Sequence, residues 1–168
     1  WLAKREAEGL SAGSKNRYLA ALKSIYKAAV TYGFCKTNPA AAVTMKREEI
    51  KPREVLDDNE FELLLPELPL HARRVVLTAA ETGMRAGEIR RLKWADVDLV
   101  AGELRVVVAK NKEYRVVPLT GRLRATLDEM KAEDTPHPTA FIFGSVGIRK
   151  HLAAALKKAG IEKHVTLH

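Results

Sequence analysis

From Ser14 to Tyr32 the apolar residues fall at Leu19, Leu22, Ile25, Tyr26, Ala29 and Val30, the spacing of an amphipathic helix, and Gly33 ends it. One face is therefore expected in a core. The opposite face carries Asn16, Ala20, Lys23 and Lys27, an amide and two ammonium groups with little bulk between them, suited to lying against phosphates. After Asn38-Pro39 the pattern breaks, and the polar stretch from Thr44 to Val55 reads as a linker.

Periodicity resumes at Asp57, a helix cap that Glu60 completes as a capping box before Phe61, Leu63, Leu64 and Leu65. A second helix is expected from about Leu70 to Thr82, closed by Gly83, and a short helical turn from Ala86 to Lys93. The texture then changes. Val97–Leu99, Glu103–Ala109 and Tyr114–Leu119 are short β-branched runs separated by tight-turn residues, which predicts a three-stranded antiparallel meander. Helices return at Gly121–Lys131 and Ile148–Lys158, the second ended by Gly160. The chain is thus expected to be mainly α with a small three-stranded antiparallel sheet (α+β), organised as a helical domain over 1–43, a linker over 44–56 and a larger domain over 57–168.

Charge adds a partner to this outline. The net charge is +8, and residues 1–53 hold eleven Lys/Arg against four Asp/Glu, so the excess sits in the first third. An anionic partner fits that asymmetry; a solvated basic face that binds nothing is the bland alternative. Cys35 stands alone, which excludes an internal disulfide or thiolate cluster and fits a small half-buried hydrophobe in a reducing compartment. No apolar run approaches the ~20 residues of a membrane span, and no signal-peptide pattern opens the chain, so a cytoplasmic protein is expected.

Arg85 is the leading candidate for chemistry. It sits two residues past a helix-ending glycine and begins the next helical turn, so its guanidinium is held by rigid elements on both sides. A planar fork of five donors suits the nonbridging oxygens of a phosphate and stays charged at any working pH. Gly87 leaves room for another backbone, and Glu88, three residues on, lies on the same side and is placed to orient Arg85. Taken alone, such an Arg/Glu pair is usually a surface ion pair of little weight.

The whole run Thr82-Gly-Met-Arg85-Ala-Gly-Glu88-Ile-Arg-Arg-Leu-Lys-Trp-Ala-Asp-Val-Asp98 resembles the first conserved box of the tyrosine site-specific recombinases of the phage-integrase family. Lys110, in the second turn of the meander and eight residues before Pro118, resembles the turn lysine that follows that box. Ser14-Lys-Asn-Arg-Tyr-Leu, Tyr32-Gly and Asn38-Pro39-Ala are similar to the end of the family's helical core-binding domain, and Val165-Thr-Leu-His168 to the entry of its second box.

The resemblance implies a recombinase catalytic domain preceded by part of a core-binding domain, with double-stranded DNA as partner. Arg85 would hold the scissile phosphate, Lys110 would protonate the departing sugar oxygen with Lys112 as runner-up, and His168 would donate to the phosphate. Glu88 would support Arg85, while Asn16, Lys23, Lys27, Lys112 and Arg115 would contact DNA. The family's tyrosine forms a 3′-phosphotyrosyl intermediate that preserves bond energy for rejoining. No residue here stands at the second arginine or the nucleophile, so the chain is expected to be truncated and inactive alone. Its full-length form is expected to recombine as a tetramer on paired sites, clamping the duplex between its two domains, with no metal or cofactor. The alternative is a non-catalytic DNA-binding protein that occupies recombination sites.

Overall fold

The computed structural model describes residues 9–48, 54–107, 114–144 and 147–167. It divides into two compact units, Trp1–Pro52 and Arg53–His168.

The first unit is built on helix α1, Ala12–Thr31, whose N-terminus is capped by the Ser11 hydroxyl accepting from the Ser14 N–H. The expected apolar face is inward at Leu19, which is buried, and at Leu22, Tyr26 and Ala29, which are half-buried; three positions differ. Asn16 is buried at 9% exposure, whereas Ile25 is 63% exposed and Val30 is also exposed. Asn16 is buried by the returning chain. Asn16 Oδ1 accepts from the Lys46 N–H at 2.9 Å, and Asn16 Nδ2 donates at 2.8 Å to the Lys46 carbonyl and to Glu48 Oε1. The side-chain amide thus pairs with a backbone as another peptide would, and residues 44–48, expected as linker, are tied to α1 by polar bonds that leave no apolar period to read. Asn38 Nδ2 caps the Lys23 carbonyl, and Lys23 Nζ donates to the Ala41 carbonyl at 3.2 Å.

The second unit follows the expected order. Helix α2, Asp58–Glu67, opens with the full capping box between Asp57 and Glu60. Helix α3, Leu70–Thr82, ends at Gly83 in the left-handed region with φ 62°, a conformation a side chain would strain. Helix α4, Ala86–Arg91, and a 3₁₀ turn, Trp94–Asp96, lead into the sheet. Its strands β1, Val97–Asp98, β2, Glu103–Val107, and β3, Tyr114–Pro118, pair antiparallel in the order β1-β2-β3. Helices α5, Gly121–Asp134, and α6, Arg149–Lys158, complete the unit.

One core joins these elements. Leu64 of α2, Val75 of α3, Ile89 of α4, Leu104 of β2 and Leu123 and Leu127 of α5 are fully buried. Each such side chain contributes about 1.5–3 kcal/mol by leaving water, so the frame around α4 is fixed by apolar burial from every side. Two bidentate ion pairs brace the rim: Arg74 of α3 with Glu133 of α5, and Arg122 of α5 with Glu62 of α2. The segment after α6 is strapped to the start of the unit. Lys163 Nζ donates to the Val55 carbonyl at 3.1 Å and to Glu60 Oε2 at 2.6 Å, and the His164 N–H donates to Glu54. Residues 54–56, also expected as linker, are therefore part of this unit's bonding.

Among the described residues, no helix is long and apolar enough to cross a membrane.

Candidate phosphate-binding site

Helix α3 breaks at Gly83 because its N–H caps the Ala79 carbonyl in a left-handed turn. Met84, next in line, is buried and anchors the turn in the core. Arg85 then emerges in extended conformation, φ −71° and ψ 150°, as the N-cap of α4. Its side chain is 78% exposed, so the sequence has delivered a guanidinium to the surface from a buried pivot.

What orients it is Glu88, whose side chain is 7% exposed. As the third residue of α4 it returns its carboxylate to the helix start, where Oε2 accepts from the Arg85 backbone N–H at 3.0 Å. Arg85 Nη1 approaches Oε1 at 3.3 Å. From β3, Arg115 reaches the same carboxylate with two nitrogens, Nη2 to Oε2 at 3.0 Å and Nη1 to Oε1 at 3.4 Å. Burial pushes the Glu88 carboxyl up, and this is the largest single influence on it. The Arg85 N–H, the Arg115 guanidinium and the Arg85 guanidinium outweigh it together and hold the group below the ordinary value of 4.5. One anion facing two guanidiniums leaves a net positive charge, and the exposed side of it is Arg85. Such a centre can grip an anion with planar oxygens.

Gly87, expected to admit another backbone, instead lies under its own helix: a Cβ there would meet the Arg91 guanidinium at 3.7 Å, ordinary contact. A cleft of about 810 Å³ opens beside the site between α6 and the segment after it, with Ala86 and Leu167 both in its wall. Its wall mixes apolar residues with Arg149, Lys157 and Glu162, and with Lys163, which is paired to Glu60.

Arg85 and Glu88 are thus brought together as expected. Arg115, expected on DNA, spends its fork on Glu88. The signal was present in the sequence: alternation along Tyr114-Arg115-Val116-Val117 puts Arg115 on the face of Val117, and an inward arginine needs a buried anion. Asn16 is corrected from a phosphate contact to an internal tie, for the bonding described above. Lys27 is exposed on α1 and Lys23 half-buried. Lys110, Lys112 and His168 lie outside the described residues. Among the described residues, no three His, Cys, Asp or Glu side chains gather as a metal site would require.

Comparisons with known proteins bear on the family and the fold. The tyrosine recombinase XerC of Xanthomonas axonopodis pv. citri (strain 306) is 30% identical over 149 residues, covering 85% of this chain and 48% of its own length. A shufflon-specific DNA recombinase of Escherichia coli is 32% identical over 148 residues, covering 86% of this chain and 38% of its own. This chain spans about half the length of the curated XerC relatives it matches. Among solved structures, a lambda integrase tetramer bound to a Holliday junction superposes with a TM-score of 0.77 at 24% identity, covering 98% of this chain and 52% of that one. The Tn1549 transposon integrase in complex with a circular intermediate DNA gives a TM-score of 0.80 at 15% identity, covering 100% of this chain and 67% of that one. These last two likenesses establish the fold, and the phage integrase family profile matches residues 54–168 directly. With Arg85 and Glu88 set at the head of α4 inside that matched stretch, the chain belongs to the phage integrase family.

Proposed function

We propose that this chain is the DNA-binding part of a site-specific tyrosine recombinase, which in full-length form cuts and rejoins duplex DNA through a 3′-phosphotyrosyl intermediate. The observation that carries the reading is the exposed Arg85 guanidinium, fixed at the head of α4 by a buried carboxylate and open to an incoming anion. In that protein Arg85 holds two nonbridging oxygens of the scissile phosphate and stabilises charge as the strand breaks. Lys110 protonates the leaving sugar oxygen, with Lys112 the runner-up, and His168 donates to the phosphate.

The chain by itself binds and does not cut. Tyr18, Tyr26 and Tyr32 belong to the first unit, and Tyr114 is exposed on β3 with the alternation directing it away from Arg115. The lambda integrase tetramer on a Holliday junction supports a tetramer on paired sites for the whole protein. No cofactor is invoked, since the tyrosyl linkage itself conserves the bond energy. The working place is the cytoplasm, where the DNA is.

A salt titration of duplex binding by this chain tests the reading. Affinity is expected to fall steeply and linearly in logarithmic form between about 50 and 200 mM salt, as counterion release demands. A chain that fails to bind duplex at any salt concentration is not a DNA-binding module.

A further inference from the structure

Along β3 the side chains alternate, with Tyr114 and Val116 exposed and Arg115 and Val117 turned inward. Across the ladder Arg115 pairs with Val106, which is buried. The Arg115 side chain is half-buried, and the anion it meets is Glu88. Each oxygen of Glu88 accepts once from each arginine, but the two arginines are not equivalent. The parallel two-nitrogen fork belongs to Arg115, whereas Arg85 offers one guanidinium nitrogen at 3.3 Å and keeps most of its side chain exposed.

Carboxylates and phosphates are bound by the same guanidinium fork. A buried carboxylate beside a phosphate-gripping arginine therefore competes with the phosphate for it. Here the fork-binding face of Glu88 is already filled. We infer that Arg115 is a positioning residue: by holding both oxygens of Glu88 it keeps the Arg85 fork available to the DNA phosphate, and it does not itself contact DNA. This rests on the reading of Arg85 as the phosphate-holding group. Because β3 starts directly after residues 108–113, which include Lys110 and Lys112, the same bond also ties the strand that follows them to the head of α4.

The test compares variants of the full-length protein in single-turnover cleavage at saturating duplex, beside the salt dependence of duplex binding. R115A is expected to slow cleavage about ten- to a hundredfold, the range that follows loss of a group orienting a catalytic ligand. Its slope of log affinity against log salt stays that of the wild type. R115K recovers part of the rate. E88Q added to R115A also recovers part, because the competing charge is gone while a carbonyl remains to accept from the Arg85 N–H. The inference is overturned by a salt slope shallower by about one, which would mark Arg115 as a phosphate contact, by wild-type cleavage in R115A, or by E88Q slowing R115A further. Should R115A fail to fold, R115K carries the same comparison.

A readout without cleavage uses the present chain. In ¹⁵N NMR, rotation of the Arg85 guanidinium is expected to slow in R115A as Arg85 closes on Glu88, and an unchanged rotation contradicts the inference. A wild-type protein that cleaves nothing counts against the reading of Arg85 instead, and the NMR comparison still decides the role of Arg115.

Discussion

Arg115 on β3 and Glu88 on α4 meet fork to fork, with nitrogen–oxygen distances of 3.0 and 3.4 Å, and so join the sheet to the helix whose first residue is prepared by Arg85. The carboxylate is buried and the arginine half-buried, so the pair is less screened than a surface ion pair. It sets the electrostatics of the site.

Acid is expected to destabilise the fold through this pair and through the two rim pairs, Arg122 with Glu62 and Arg74 with Glu133. Glu88, Glu62 and Glu133 all have folded-state values lowered from 4.5. A carboxyl lowered on folding contributes stability that is complete above its unfolded value and lost as pH falls through its folded value. Lys163 is shifted up from 10.5, first by its bond to Glu60, so its contribution is complete below 10.5 and lost as pH rises beyond that. The melting temperature should therefore be level between about pH 5 and 10 and fall on both sides, with Glu88→Gln flattening the acid limb. Stability that rises as pH drops from 5 to 3 would contradict this.

Asn16→Ala should act on folding and leave DNA affinity to other residues. The Lys46 N–H and carbonyl lose their bonds to the side-chain amide, a cost of about 0.5–1.5 kcal/mol for each, since Lys46 is exposed and water can replace them. Hydrogen exchange at the Lys46 amide is expected to accelerate while the salt slope of duplex binding is unchanged. A shallower slope with unchanged Lys46 exchange would return Asn16 to the DNA surface.

Lys27→Ala is the converse case. Lys27 is exposed on α1, and its loss is expected to reduce the salt slope by about one with the melting temperature held. For Lys23→Ala a smaller change in slope is expected, since its ammonium already serves the Ala41 carbonyl at 3.2 Å. Equal slopes in wild type and the Lys27 variant would remove this helix face from the interface.

Much of the second unit was legible because its signals are local. The Asp57/Glu60 box, Gly83 and the alternation of β2 and β3 each act over a few residues, and the elements they predict match to within a few positions. The first unit was less legible. Asn16 is polar at a helical spacing that suggested solvent, and only the return of residues 44–48, thirty positions later, makes it internal. The role of Arg115 was missed for a similar reason: its partner lies 27 residues away, and its closeness in sequence to Lys110 and Lys112 favoured a DNA contact. Arg85 was legible because cap position, glycine break and family box coincide.

Arg85 is proposed to hold the phosphate at which the strand is broken. The most direct measurement is single-turnover strand cleavage by the full-length protein with Arg85→Ala, beside its duplex affinity and its melting curve. Loss of one preorganised charge donor is expected to slow cleavage by about 10²–10³ with the fold intact and binding largely retained. Cleavage at the wild-type rate would contradict the account.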